Sequence, residues 1–279
     1  MDSKIKKIRL DVYLVENSYF STREKARIAI MEGNVFVNNQ KEDKPGTMIK
    51  EDAVVEYRGE KLKYVSRGGL KLEKAVDVFG IDIRDKVCID IGSSTGGFTD
   101  CMLQNGAKKV YAVDCGTNQL DYKLRTDEKV VVMENTNARY LTKEMIGSDE
   151  VDLITVDVSF ISLTKIIPVI KELLKLGGEA ITLIKPQFEA GKELVEKGGV
   201  VKYKKIHKAV VESVFKFSID NGFAVRGLDF SPIKGPAGNI EYLLYIVNKA
   251  ETGNDNIDEF SDMIDRVVEE SHRVLNQEV

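Results

Sequence analysis

The chain has 279 residues, 43% of them apolar and 31% charged, with only 5 prolines, which excludes wholesale disorder and leaves room for about two domains. Three cysteines and two histidines supply neither a disulfide framework nor a zinc-ligand spacing, so no metal is expected. The net charge of −4 divides unevenly, with 13 basic against 11 acidic side chains in residues 1–66 and 28 against 34 in the remainder, so any nucleic-acid contact must rest on local patches.

Apolar runs such as Tyr242 to Val247 are far too short to span a bilayer, and Lys4, Lys6, Lys7 and Arg9 lead into no signal-peptide core. A cytoplasmic protein without a membrane partner is expected. Residues 1–60 read as a small α+β domain. Leu10, Tyr13 and Leu14 give one short helical face, and Ser21-Thr22-Arg23-Glu24 reads as a capping box for a second helix that Gly33 stops. Val35-Phe36-Val37 runs into an Asn38-Asn39 turn, and Val54 to Tyr57 is a returning strand. On the second helix Arg23 and Arg27 share a face with Lys25 beside them. By charge alone this is equally a solvated helix surface.

Residues 61–66 read as a polar linker, and residues 67–249 as alternating strands and helices. Strands are expected at 87–91, 110–113, 130–133, 151–156, 180–184 and 242–247, with helical patterns between them. The fold class is therefore α/β, a largely parallel Rossmann-like sheet with ligands beyond the carboxyl ends of its strands. Residues 250–279 form an acidic tail in which a helix beginning at Asn254-Asp255 would carry Phe260, Met263, Ile264, Val267, Val268 and Leu275 on one face. That stripe suits packing on its own domain or a dimer contact, so monomer and weak dimer both stay open.

Asp90-Ile91-Gly92-Ser93-Ser94-Thr95-Gly96-Gly97-Phe98 follows the first of these strands and opens a helix. A dinucleotide fingerprint fails at its second glycine. An acid ending the strand suits the ammonium of S-adenosylmethionine, directly or through water, and Asp114 at the end of the next strand suits ribose hydroxyls. The combination of Asp90, Gly92, Ser94, Gly96, Gly97, Phe98 and Asp114 favours the methyl donor. Asn137 is a candidate for the adenine edge, and Asp157 for a place beside the donor methyl. Phe160 suits either a stack on a flipped base or the core. His207 and His272 look like bystanders, and Cys88 and Cys101 like packing.

The first segment resembles the alpha-L RNA-binding domain of the ribosomal protein S-four type, on Arg9-Leu10-Asp11, Ser21-Thr22-Arg23 with Ala26 and Ile30, Gly33 to Asn38, Lys44-Pro45 and Asp52. The resemblance implies phosphate contacts by Arg9, Arg23, Lys25 and Arg27. The stretches Ser66 to Leu72, Asp157 to Ser162, Leu183 to Glu189 and Gly238 to Tyr242 resemble, together with that domain and the glycine loop, the TlyA family. These are rRNA 2′-O-methyltransferases, also known as haemolysins, with an FtsJ-like class I methyltransferase domain. The resemblance spans about residues 5 to 248. It implies a Lys-Asp-Lys-Glu catalytic tetrad at Lys71, Asp157, Lys185 and Glu241, S-adenosyl-L-methionine as cofactor, and rRNA or a ribosomal subunit as partner, with Arg67 on a basic RNA-facing rim. The expected reaction methylates a cytidine ribose in large-subunit rRNA and, in some members, one in small-subunit rRNA.

Two further readings are a non-catalytic RNA-binding or ribosome-assembly factor and a cytolysin. A free lysine titrates near ~10.4, so Lys185 would need a depression of about 3 units to act as a base near neutrality. With two cations and two anions in the set, an orienting Lys185 is expected instead.

Overall fold

The computed structural model describes residues 7–17, 19–20, 22–59, 62–147, 149–250 and 260–276. Lys4, Lys6, Ser21 and the acids Glu251, Asp255, Asp258 and Glu259 lie outside them. Two compact units form, residues 1–61 and 62–279.

In the first unit β1 (Lys7–Arg9) leads into α1 (Leu10–Glu16), and α2 (Arg23–Met31) follows. Thr22 caps α2 by accepting the Lys25 amide at 3.3 Å, so the N-cap role falls one residue later than the expected box. Strands β2 (Val35–Val37), β3 (Gln40–Glu42), β4 (Met48–Lys50) and β5 (Val55–Tyr57) complete the unit. β2 lies between β3 and β5, while β4 pairs with β1. Asn38 and Asn39 both adopt positive φ, the backbone a tight hairpin demands. Leu10, Leu14, Ala26, Ile30 and Val35 are fully enclosed in its core.

The second unit begins earlier than the sequence suggests. Leu62 to Ser66, expected as part of a linker, packs within it: Tyr64 is buried, and the Val65 amide donates to Asp100 Oδ2 at 2.9 Å. The succession is α3 (Gly68–Phe79), β6 (Val87–Ile91), α4 (Gly97–Gln104), β7 (Lys109–Val113), α5 (Tyr122–Arg125), β8 (Val130–Met133), β9 (Val151–Val156) and α6 (Ile167–Leu173). Then come β10 (Leu174–Ile184), α7 (Pro186–Glu189), α8 (Lys204–Asp220), β11 (Phe223–Phe230), β12 (Tyr242–Asn248) and α9 (Ser261–Leu275).

Among the described residues seven strands form one sheet in the order β11-β12-β10-β9-β6-β7-β8. Strands β8, β7, β6, β9 and β10 run parallel, and β12 runs antiparallel to both β10 and β11. The parallel strands are apolar because both faces are covered, and Ile89, Ile91, Val113, Ile154 and Ile184 are enclosed. The chain reverses its direction of progress between β6 and β9, so the crevice beyond their carboxyl ends is the expected ligand site.

Strand β11 was not anticipated in the sequence. Its ladder shifts register between Val225 and Gly227, and a side chain at Gly227 would meet the Phe79 ring at 2.6 Å. That glycine, needed for packing, interrupts the apolar alternation. The stripe of the acidic tail packs on its own unit: Ile264, Val267, Val268 and Leu275 of α9 join the core built by α8 and the sheet.

Candidate active site

The loop after β6 is shaped by backbone bonds before any ligand is considered. Gly92 and Ser93 both donate to the Val113 carbonyl, at 2.8 and 3.0 Å, which draws the exits of β6 and β7 together. Gly92 has φ +84°, and a Cβ there would lie 2.6 Å from the Asp157 carbonyl oxygen. Only glycine fits such an approach at such a backbone angle. Gly92→Ala is therefore expected to displace the β9 exit, weaken cofactor binding by at least about tenfold and lower the melting temperature by several degrees. Calorimetric titration and thermal melting read both.

Asp114, directly after β7, accepts the Ser94 amide at 2.8 Å through Oδ2 and the Gly116 amide at 2.7 Å through Oδ1. Carboxylate oxygens accept more than one bond each, so capacity for hydroxyls remains. Asp114 lines a cavity of about 500 Å³ with Gly92, Ser94, Cys115, Asn137 and Phe160, a volume typical of small-molecule sites. Asn137 turns its side-chain oxygen onto the Arg139 amide at 3.1 Å. Beyond β8, Glu134 accepts the amides of Asn118, Gln119 and Leu120 at 2.8 to 3.2 Å. It thereby fixes the loop following Asp114.

Two predicted cofactor residues sit elsewhere. Asp90 is fully enclosed and lines neither this cavity nor its neighbour. Thr99 and Thr155 donate to its two oxygens at 2.7 and 3.2 Å, so of the two expected modes, direct or through water, the enclosed carboxylate suits the second. Gly96 has φ +98°, and a side chain there would strike Leu124 and Leu120. Its glycine serves packing and not ligand approach. Gly97 and Phe98 do face a cavity, the second one described below.

Burial pushes the Asp90 carboxyl up to about 7, with the charge of Asp157 adding to it and the threonine bonds opposing it. A raised acid favours the fold while neutral, so this contribution is complete near pH 4 and declines as pH rises to about 7. Asp90→Asn is expected to raise the melting temperature by a gain that grows from pH 4 to 7 and levels off above. A gain independent of pH would contradict that assignment.

A second cavity, also about 500 Å³, shares Gly92, Ser94, Asp157, Ser159 and Phe160 with the first and extends to Lys71, Lys185 and Glu241. Four charged side chains form a chain along its wall. Lys71 Nζ lies 2.7 Å from Glu241 Oε2 and 3.2 Å from Asp157 Oδ2. Lys185 Nζ lies 2.5 Å from Asp157 Oδ1 and 3.2 Å from Ser159 Oγ. All four are largely buried, Glu241 at 1% side-chain exposure and Asp157, the most open, at 18%.

Each member comes from a different element. Lys71 rises from α3, Asp157 follows β9, Lys185 follows β10 and Glu241 precedes β12. Burial opposes the charge on Asp157, but Lys71 and Lys185 outweigh it and hold the carboxyl below the usual range. For Lys71 burial likewise opposes ionisation, and Asp157 with Glu241 raises the ammonium above its usual value. Alternating charges thus stabilise one another where burial would otherwise penalise each.

The same cavity includes residues that sequence reading left without a role. Gln187 and Phe188 lie on α7, and the Gln187 side-chain oxygen is buried without a partner among the described residues. Asn239 accepts the Val201 amide at 3.0 Å and donates to the Gly199 carbonyl at 2.7 Å, tying the 199–201 loop to the approach to Glu241. His207, expected as a bystander, bonds the Tyr242 hydroxyl at 2.7 Å and the Val201 carbonyl at 2.8 Å. Phe160 is not core: it is 91% exposed, has φ +64°, and sits 5.1 Å from the Phe188 ring centroid. Cys88 and Cys101 are packed inside, whereas Cys115 faces the first cavity.

In the first unit Arg9 and Arg23 converge on buried Asp11, at 2.9 and 2.8 Å. Side-chain bonding to Arg9, reinforced by Arg23, overcomes burial and holds the Asp11 carboxyl down at about 2. Both arginine side chains remain about half exposed. Arg23 and Arg27 line a shallow surface depression with Glu24, Ile28 and Met31. Arg67 is exposed at the start of α3 in the second unit.

A parallel sheet with a reversed strand near one edge, a glycine turn at the switch point and an acid after the second strand define a class I S-adenosylmethionine-dependent methyltransferase. The close backbone at Gly92 and the carboxylate of Asp114 fit that cofactor. The chain belongs to the FtsJ-like methyltransferase family, which matches residues 64–247, and carries an S4 domain over residues 8–55. It is 52% identical over 272 residues to a Bacillus subtilis protein provisionally named the rRNA methyltransferase YqxC, covering 98% of this chain and 96% of that one. It is 38% identical to the 16S/23S rRNA (cytidine-2′-O)-methyltransferase TlyA of Mycobacterium tuberculosis, covering 86% and 90%. A solved structure from Streptococcus thermophilus, provisionally named a hemolysin, superposes with a TM-score of 0.78 at 46% identity, covering 98% of both chains. Among the described residues no helix is long and apolar enough to cross a membrane.

Proposed function

We propose that the enzyme methylates the 2′-hydroxyl of a cytidine ribose in rRNA, with large-subunit rRNA the first substrate to test and small-subunit rRNA the second. The observation that carries this reading is the Glu241–Lys71–Asp157–Lys185 chain at the junction of two cavities that share Gly92, Asp157 and Phe160. A binding factor has no need of four buried charges from four elements.

S-adenosylmethionine supplies an electrophilic methyl group already activated by its sulfonium. The protein's part is therefore alignment, worth several kcal/mol of barrier, and an outlet for the hydroxyl proton, which passes by way of the Asp157 carboxylate to solvent. Lys185 orients the acceptor hydroxyl. Asp157 lies between the two lysines and sets the direction of the Lys185 ammonium. Lys71 neutralises Asp157 and Glu241, which keeps both carboxylates in place. On the cofactor side Asp114 would hold the ribose hydroxyls and Asn137 the adenine edge, with Gly92 and Ser94 lining both cavities and Gly97 and Phe98 lining the second. Asp90, behind Thr99 and Thr155, would reach the ammonium only through water.

Arg9, Arg23, Lys25 and Arg27 of the S4 domain contact RNA phosphates, as does Arg67 of the catalytic unit. Such contacts give affinity that falls steeply with salt. Phe160, exposed beside Phe188, is a platform on which the base of an extruded nucleotide stacks.

The test is transfer of labelled methyl to each ribosomal subunit and each free rRNA from a strain lacking the enzyme, with the position mapped by primer extension sensitive to 2′-O-methylation. A single cytidine stop on one or both rRNAs supports the reading. Label on a base, or on no rRNA while the cofactor binds, overturns it.

A further inference from the structure

Phe160 stands at the mouth shared by both cavities, yet its backbone has φ +64°, a region that residues with a Cβ avoid. An exposed aromatic side chain buries little surface to hold itself there. Something outside the residue must fix the loop after β9.

Glu189, the last residue of α7, does so with both carboxylate oxygens. Ser162 Oγ donates to Oε2 at 2.7 Å and the Leu163 amide donates to Oε1 at 2.8 Å. At the other end of the same two segments Lys185 Nζ meets Asp157 Oδ1 at 2.5 Å. The chain from Asp157 to Leu163 and the chain from Lys185 to Glu189 are thus tied at both ends, with Phe160 and Phe188 in contact between the ties. One tie belongs to the catalytic set, whereas the other has no chemical task in the reaction.

We infer that Glu189 is a positioning residue for the acceptor, a carboxylate clamp that joins the exits of β9 and β10 and holds Phe160 over the nucleotide entrance. The inference rests on the proposed ribose methylation. A plain helix-capping role is the competing account, because Ser162 also precedes the short turn at Leu163–Lys165. Capping would cost stability alone. The clamp separates stability from catalysis, since a misplaced platform impairs the acceptor and leaves the cofactor side intact.

The chain contains no tryptophan, so Phe160→Trp gives a single fluorescent reporter at the platform. In that background Glu189→Ala is expected to lower the steady-state anisotropy of Trp emission markedly. In the otherwise wild-type protein Glu189→Ala should reduce kcat/KM for rRNA by about ten- to a hundredfold, with S-adenosylmethionine affinity within about twofold. Glu189→Gln retains an acceptor for Leu163 and offers a donor to Ser162, and should recover activity to within about threefold. Ser162→Ala, which removes one of the two bonds, should fall between them and serves if Glu189→Ala does not fold. Unchanged anisotropy and kcat/KM in Glu189→Ala, or a parallel loss of cofactor affinity, overturns the clamp. Absence of methyl transfer by the wild-type enzyme would instead overturn the functional reading, while the anisotropy comparison would still decide whether Glu189 holds the loop.

Discussion

Lys185→Ala is expected to abolish methyl transfer, lowering kcat by at least about a thousandfold, while RNA and cofactor affinities stay within about threefold of wild type. The magnitude follows from what the ammonium does. It sits 2.5 Å from Asp157 and 3.2 Å from Ser159 at the end of β10, and in the proposed reaction it orients the acceptor oxygen beside that carboxylate. Loss of orientation and of the charge facing the developing oxyanion each cost several kcal/mol of barrier. Lys185→Arg is expected to restore little, because a planar fork cannot replace a compact ammonium at those distances. Single-turnover transfer measured beside filter binding separates the two effects. Loss of RNA affinity in step with kcat would mean that Lys185 holds the substrate instead of aligning it.

Lys71→Met should damage both activity and the fold. Lys71 is the partner of Glu241, which is 1% exposed, and the second cation beside Asp157. Removing it leaves a buried carboxylate uncompensated, at a cost of about 3–5 kcal/mol. For a unit of this size that corresponds to a melting temperature lower by about 6–20 °C. Adding Glu241→Gln should recover much of the stability and none of the activity, because a neutral amide needs no counter-ion. Thermal melts of the single and double variants check this, and a double variant less stable than Lys71→Met would contradict the pairing. Lys71 is raised by Asp157 and Glu241 against burial, and Asp157 is lowered by the two lysines against burial. Both therefore keep their charges across the neutral range. By linkage the Asp157 contribution is present above the ordinary carboxylate pKa and lost only as pH falls through its depressed one.

Much of this architecture can be read from residue order. The parallel strands announce themselves as apolar runs with an acid at the exit: Asp90 as the penultimate residue of β6, Asp114 directly after β7 and Asp157 directly after β9. Where the pattern fails, packing is the cause. Gly227 breaks β11 to make room for Phe79, and β3 and β4 are three-residue strands with mostly exposed side chains, so no periodicity marks them. The catalytic set is less legible. Lys71 lies on a helix whose neighbours Leu72 and Ala75 are buried, and nothing nearby tells it from a solvated lysine. Its partners are 86 and 170 residues away, so the four charges make sense only as a set supplied by resemblance.

Asp90 is the opposite case. Its type and position suit a ligand contact, yet Thr99 and Thr155 enclose it. Local order could not reveal Thr155, which belongs to a strand 65 residues later. Glu189 was equally hidden, because its role depends on Ser162 and Leu163, reached only when β9 and β10 lie side by side.

The central claim, ribose methylation governed by this four-charge chain, is tested most directly by nucleoside mass spectrometry of rRNA from a strain lacking the enzyme. That rRNA would be incubated as subunits with the wild-type protein and deuterated S-adenosylmethionine. The account predicts labelled 2′-O-methylcytidine as the product, absent with Lys185→Ala. Labelled 5-methylcytidine, or 2′-O-methylcytidine formed as well by Lys185→Ala as by wild type, would contradict it.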